Sequence, residues 1–226
     1  IGHEVRYDGG HKRDLFVMRT LGPYLDYQPV CPEVELGLGT PRPTIRLAVD
    51  PKDREGLPLL IMPSTGDDLT EGMETMAKKR VSIVDEKKLC GFIVQKNSPS
   101  CGMARVKVHD DKGGRSLRNG VGVFTRVLME RYPSLPVEEV GRLNDAHLRE
   151  NFITRIFAYA RIQKLFRSQW TMRDLVDFHS REKYLLLAHH PVTYKALGQL
   201  VAGAKNMDRT QVETEYTEAF MTGLKK

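Results

Sequence analysis

Gly91-Phe92-Ile93-Val94-Gln95-Lys96-Asn97-Ser98-Pro99-Ser100-Cys101-Gly102 reads as a short apolar strand that runs straight into a turn carrying a thiol. A strand needs a brief run of β-branched and aromatic residues, and Asn, Ser, Pro and Gly supply the turn that ends it. The same pattern recurs outward from this stretch. Thr44 to Val49, Leu57 to Met62 and Ala104 to Val108 read as further strands, and Asp67 to Asp85 as an acid-started helix. Asp110 to Gly114 reads as a Gly-rich turn and Val121 to Arg131 as a second helix. Strands alternating with helices predict an α/β fold, in which reactive groups gather where strands end.

The pattern changes near residue 135. Tyr132-Pro133-Ser134-Leu135-Pro136 reads as a short, stiff linker, beyond which strand signals stop. Val137 to Arg149 and Glu150 to about Ser168 read as helices. Thr171 with Asp174 reads as a capping box whose helix runs to His189-His190-Pro191, and Thr210 with Glu213 as another, opening a helix that reaches the end of the chain. The expected organisation is an α/β catalytic domain over residues 1–136 followed by an all-α domain over 137–226, the latter incomplete at Lys226. No internal repeat or low-complexity tract interrupts it.

Composition narrows the class of protein. With 40% hydrophobic and 28% charged residues the chain reads as globular, and no stretch approaches the roughly 18–20 apolar residues of a membrane span. It opens on Ile1 followed by polar, Gly-rich residues, neither a signal peptide nor a natural start, so a fragment is expected. Three cysteines, an odd number, argue against a disulfide framework and for a reducing, cytoplasmic setting in which thiols act as ligands or nucleophiles.

The net charge of +6 is unevenly placed, since residues 141–226 hold 14 Lys/Arg against 9 Asp/Glu. Arg149, Arg155, Arg161, Lys164, Arg167 and Arg173 meet only Glu150 in their stretch. Such a face suits a polyanion such as nucleic acid, or is simply solvated. At helical spacing Phe152, Ile156, Tyr159 and Phe166 share one side, as a core stripe. Arg149, Arg161, Lys164 and Arg167 lie roughly opposite, where phosphate contacts would be placed.

The second thiol of interest stands in Val30-Cys31-Pro32-Glu33-Val34-Glu35-Leu36-Gly37-Leu38-Gly39-Thr40-Pro41-Arg42. A Cys-Pro pair ending a buried strand, followed by a Gly-rich loop, can bring the Cys31 thiolate, the Glu33 carboxylate and the Arg42 guanidinium to one cavity; the alternative is a tight loop around a buried cysteine. Beside Cys101, the Ser98 and Ser100 hydroxyls can bond a sulfur, a substrate oxygen or a water, or merely form a Ser-rich turn. The separation of Cys31 and Cys101 matches no zinc spacing, and Cys90 reads as a core residue. His179, His189 and His190 have no carboxylate or thiol at ligand spacing and read as buried or capping groups, and Trp170 as a packing anchor.

These residues carry a resemblance. Glu4-Val5-Arg6-Tyr7-Asp8-Gly9-Gly10-His11-Lys12, Cys31-Pro32-Glu33, Thr40-Pro41-Arg42 and Ser98-Pro99-Ser100-Cys101-Gly102 resemble the signature of the thiouracil desulfidase family. Arg142-Leu143-Asn144-Asp145, Asn151-Phe152, Phe157-Ala158-Tyr159, Phe178-His179-Ser180, Lys183-Tyr184-Leu185 and Ala188-His189 resemble the YbgA-type helical domain often fused behind it. Together they cover nearly the whole chain and imply an enzyme that restores uridine from 4-thiouridine in tRNA by hydrolytic C–S cleavage. The resemblance implies a [4Fe-4S] cluster held by three cysteines, with one iron left open to the substrate sulfur. Cys31 and Cys101 match two of those ligands. The third is expected upstream of Ile1, so the chain as it stands is expected to lack the cluster while keeping Cys31 and Cys101 close enough to share a metal site. Glu33, Ser98, Ser100 and Asp8 are the catalytic residues so implied, with Arg6, Lys12 and Arg42 binding substrate and Arg149, Arg161, Lys164 and Arg167 contacting RNA. Two other readings stay open: a desulfidase of free thiouracil whose helical domain serves oligomerisation, and a non-catalytic RNA-binding protein.

Overall fold

In the computed structural model, which describes residues 2–110 and 114–225, five of the short runs line up as one mixed sheet. Its strands are β1 (Arg46–Ala48), β2 (Leu59–Met62), β3 (Asp67–Asp68), β5 (Val106–His109) and β6 (Leu117–Gly120), in the order β3-β2-β1-β5-β6. β1 runs parallel to β5, with Leu47 opposite Val108, and the other pairings of this sheet are antiparallel. Leu47 and Leu60 are wholly buried, as apolar residues on the inner face of a half-covered sheet must be. Helices α2 (Thr70–Arg80) and α4 (Val123–Arg131) pack on one another, and Met73, Ala77, Phe124 and Leu128 are buried in them. The first part therefore has the expected α/β class.

Several boundaries differ from expectation, each for a physical reason. Asp67 and Asp68, read as a helix start, instead pair with Met62 and Ile61 as a hairpin edge, and Asp68 accepts the Thr70 amide at 2.9 Å to launch α2. The helix expected to reach Asp85 breaks after Arg80 and resumes as α3 (Ile83–Glu86). Val81, Ile83 and Val84 are all buried, a spacing that a continuous 3.6-residue helix with one apolar face cannot satisfy. β6 went unread because Leu117, Arg118 and Asn119 are exposed and give no alternation. Most of the turn expected at 110–114 lies outside the described residues.

Beyond Pro136 the sequence leads to a strand before any helix. β7 (Val137–Glu139) pairs with β4 (Phe92–Val94) in a separate two-stranded sheet, with the Phe92 amide donating to Pro136 and the Val140 amide to Val94. The helix expected over 137–149 is thereby displaced, and one long helix, α5 (Ala146–Phe166), starts at Asp145 instead. The Asp145 carboxylate accepts the His147 and Leu148 amides at 2.9 and 3.0 Å, which satisfies orphan donors of the first turn.

The rest is helical, as expected: α6 (Met172–Arg181), α7 (Lys183–His189), α8 (Pro191–Gly203) and α9 (Arg209–Gly223). The Thr171–Asp174 capping box is present at α6. Its helix ends at Arg181 rather than His189, with Glu182 as the joint to α7. At α9 the cap is Asp208, bonded to the Thr210 and Gln211 amides, because Glu213 is drawn away to the Trp170 indole N–H at 2.6 Å. Trp170 is 2% exposed and packs edge-on against Phe166.

The chain divides into two compact units, Ile1–Glu86 with Ile93–Arg131 and Glu138–Gly141, and Lys87–Phe92 with Tyr132–Val137 and Arg142–Lys226. Residue 136, the expected boundary, thus lies inside a segment that belongs to the helical unit. No helix among the described residues is long and apolar enough to cross a membrane.

Candidate active site

The loop after β4 is built onto the start of α4. The amides of Gly122, Val123 and Phe124, which the helix itself cannot satisfy, donate to the carbonyls of Gly102, Pro99 and Ser100 at 2.7–3.1 Å. Thr125 Oγ1 adds a bond to the Cys101 carbonyl at 2.6 Å. So close an approach needs a residue without Cβ: one at Gly122 would sit 2.5–2.7 Å from the Ser100 and Cys101 backbone. Asn97 takes the left-handed turn at φ 61°, which Asn tolerates better than most residues.

Cys31 stands just before α1 (Pro32–Glu35), a single turn with Pro at its first position. The expected buried strand ending at Cys31 is extended chain leading into this turn. Gly37, at φ 95°, closes α1: its amide donates to Val34 and the Leu38 amide to Glu33, the paired bonds of a Schellman ending. Both halves of the site are thus held by loop carbonyls and amides rather than by long elements.

Side chains from the two loops meet in one hydrogen-bonded chain. Arg42 Nε donates to Glu33 Oε2 at 2.8 Å, and Ser100 Oγ donates to Glu33 Oε1 at 2.6 Å. Ser98 Oγ lies 2.9 Å from Ser100 Oγ, Cys101 Sγ lies 3.5 Å from it, and the Cys101 amide donates to Ser98 at 3.1 Å. Ser100 is 0% exposed. A hydroxyl has one proton, so while Ser100 gives it to Glu33 the Ser98 hydroxyl must point toward Ser100, and Cys101 meets a Ser100 lone pair.

Burial pushes the Cys101 thiol up to about 12, against the pull of its Ser100 hydrogen bond, with Glu33 and Cys31 adding to the rise. At neutral pH Cys101 is therefore a thiol unless a cation binds it. A negative charge on Cys31 would raise Cys101 further, so the two thiols share one electrostatic neighbourhood, and Cys31 Sγ lies 3.8 Å from the Val5 carbonyl.

The other expected site residues lie in different surroundings. Arg6 pairs with Asp8 at 2.7 Å on a partly exposed turn, where Asp8 also accepts the Gly10 amide, and Lys12 is exposed. In the helical unit Arg161 is forked onto Glu182 at 2.6 and 2.7 Å, Arg149 donates to the Leu143 carbonyl at 3.3 Å, and Lys164 and Arg167 are exposed. His179 faces the Tyr216 hydroxyl at 3.0 Å, and His190 caps α8 through Thr193. Sequence reading missed Gly122 and Thr125. The signal available for them is the glycine pair Gly120 and Gly122 ahead of an apolar helix.

Among the described residues no three His, Cys, Asp or Glu side chains form a group able to hold a metal ion. The donor set nevertheless suits a soft metal, since two thiols share a neighbourhood where only a cation would make Cys101 a thiolate.

A family model described as 2-thiouracil desulfurase matches residues 1–140, and one described as a protein of unknown function (DUF1722) matches residues 183–226. No curated protein matches the chain. A solved structure described as a [4Fe-4S]-dependent thiouracil desulfidase, TudS, is similar over 66% of this chain and 90% of that one, at 27% identity and a TM-score of 0.49. With the matched region spanning all of the Cys31–Glu33–Arg42 and Ser98–Cys101 network, the chain belongs to the 2-thiouracil desulfurase family and is a desulfidase.

Proposed function

We propose that this desulfidase acts on 4-thiouridine in tRNA and returns it to uridine. The observation that carries the chemistry is the relay from Cys101 and Ser98 through Ser100 to Glu33, which puts a carboxylate, a proton-passing hydroxyl and a thiol together. Water adds to the ring carbon that bears sulfur, and its proton passes through Ser100 Oγ to Glu33 Oε1. The C–S bond then breaks, so that one water is consumed and sulfur departs as hydrogen sulfide or is handed to an acceptor of the same oxidation level. Arg42 holds the far oxygen of Glu33 throughout. Cys31 and Cys101 are the thiols that would hold a [4Fe-4S] cluster, and such a cluster would supply a thiophilic Lewis acid for the substrate sulfur. The excess of positive charge in residues 141–226 supports a polyanionic substrate.

A second reading, desulfidation of free thiouracil, is favoured by Arg161, whose guanidinium is forked onto Glu182 and so contributes less to a basic face. One experiment separates the two. The protein is reconstituted anaerobically with iron and sulfide, then given 4-thiouridine-containing tRNA or free thiouracil. Loss of thiouridine absorbance, with RNA affinity that falls steeply as salt rises, is the expected result. Turnover of free thiouracil alone would move the substrate to the second reading, and a cluster chromophore with turnover of neither would overturn both.

A further inference from the structure

We infer that Arg42 is a positioning residue that acts through Glu33 and does not touch substrate, an inference that rests on the desulfidase reading and deepens it. A guanidinium has five N–H donors and no acceptor. Arg42 meets five oxygen contacts: Nε to Glu33 Oε2 at 2.8 Å, Nη2 to the same oxygen at 2.7 Å and to the Val5 carbonyl at 3.0 Å, and Nη1 to the Gly39 carbonyl at 2.9 Å and Thr40 Oγ1 at 3.4 Å. Its side chain is 3% exposed. Four hydrogen bonds and the ion-pair contact to Oε2 engage all three nitrogens, and no surface is left for a ligand to approach.

What the guanidinium does is divide the two oxygens of Glu33. Two of its nitrogens grip Oε2, and this turns Oε1 toward Ser100. The same group ties down the strand of chain that passes Cys31, because the Val5 carbonyl it holds also lies against Cys31 Sγ, and the Arg42 amide donates to the Tyr7 carbonyl at 2.8 Å. Lysine keeps the charge but not the planar fork, so it can serve one or two of these four oxygens. Arg42 therefore sets the angle of the base and the position of segment 5–10 together.

The test uses Arg42→Lys, Glu33→Gln and the double variant in the full protein. Hydrogen exchange on the metal-free protein, read over residues 4–10 and 31–42, is expected to speed up in Arg42→Lys. In turnover, kcat is expected to fall about 100-fold with KM nearly unchanged, the cost of a misplaced group. In the Glu33→Gln background the same substitution is expected to cost about 2-fold or less, because the residue it acts through is already lost. A raised KM at constant kcat would make Arg42 a substrate contact, and full multiplication of the two losses would make it merely structural; either overturns the inference. If no thiolated uracil is turned over by the unaltered enzyme, the desulfidase reading fails on its own, whereas unchanged exchange in Arg42→Lys sinks the positioning role regardless of activity. Should Arg42→Lys unfold, Arg42→Gln replaces it, and unfolding of both assigns Arg42 to the fold alone.

Discussion

Both units bury polar side chains, but they close their hydrogen bonds differently. In the helical unit the groups pair off: Arg161 with Glu182, Trp170 with Glu213, His179 with Tyr216, and Asn151 with the Leu224 carbonyl. Each of these bonds joins one group to one partner. In the α/β unit Ser100 stands between Glu33, Ser98 and Cys101 with one proton for three partners. Burial of polar groups is common to both. A shared proton beside a thiol is what sets the site apart, because only there can a small change of charge redirect the hydrogen bonds.

The same substitution in the two units gives the largest contrast. Glu33→Gln removes the proton acceptor and is expected to lower kcat by about 10³-fold, and because it leaves the buried Arg42 guanidinium without its charge partner the melting temperature is expected to fall as well. A variant with full turnover and an intact cluster would remove Glu33 as the base and erase the contrast. Gly122→Ala places a methyl group against the Ser100 and Cys101 backbone, and is expected to cost about 1–3 kcal/mol in urea unfolding and to depress turnover with it. A neutral outcome would show that the loop sits on α4 less tightly than described above.

Glu182→Gln is the counterpart in the helical unit. It leaves the Arg161 fork without its charge partner and is expected to cost about 1–2 kcal/mol, reduced by the partial exposure of Arg161, while desulfidation is expected to be retained. Loss of that activity would mean the helical unit carries part of the chemistry. The smallest effect is a pH dependence. Burial lowers the affinity of His179 for a proton, so the unfolded chain takes up a proton that the folded one refuses. Its contribution is fully present above the unfolded value near 6.5 and is lost as pH falls toward the folded one. Urea midpoints should therefore drop as pH falls below about 6.5, and His179→Gln, which can still bond Tyr216, should flatten that drop; a steeper drop in the variant would remove His179 as its source.

Much of this molecule was legible in the sequence, where neighbouring residues decide the outcome. The apolar run Phe92–Val94 ahead of the Cys101 turn and the Thr171–Asp174 cap are both local patterns, and local patterns survive folding because their partners lie close by in the chain. Lone short strands fared worse. Nothing in Val137–Glu139 or Leu117–Gly120 outweighs helix or loop until a partner strand is supplied from elsewhere, and Asp208 took the cap from Thr210 once Trp170 had claimed Glu213.

The sequence by itself determined the two classes of architecture and the residue types from which a thiol site is made. Only the tertiary structure decided which oxygen of Glu33 faces Ser100, which groups enclose Arg42, and why Gly122 has no side chain. Ser100 reaches Glu33 across 67 residues and Arg42 reaches Val5 across 37, and at such separations the pairing is chosen by packing and by the need to satisfy every buried donor, not by anything adjacent in the chain.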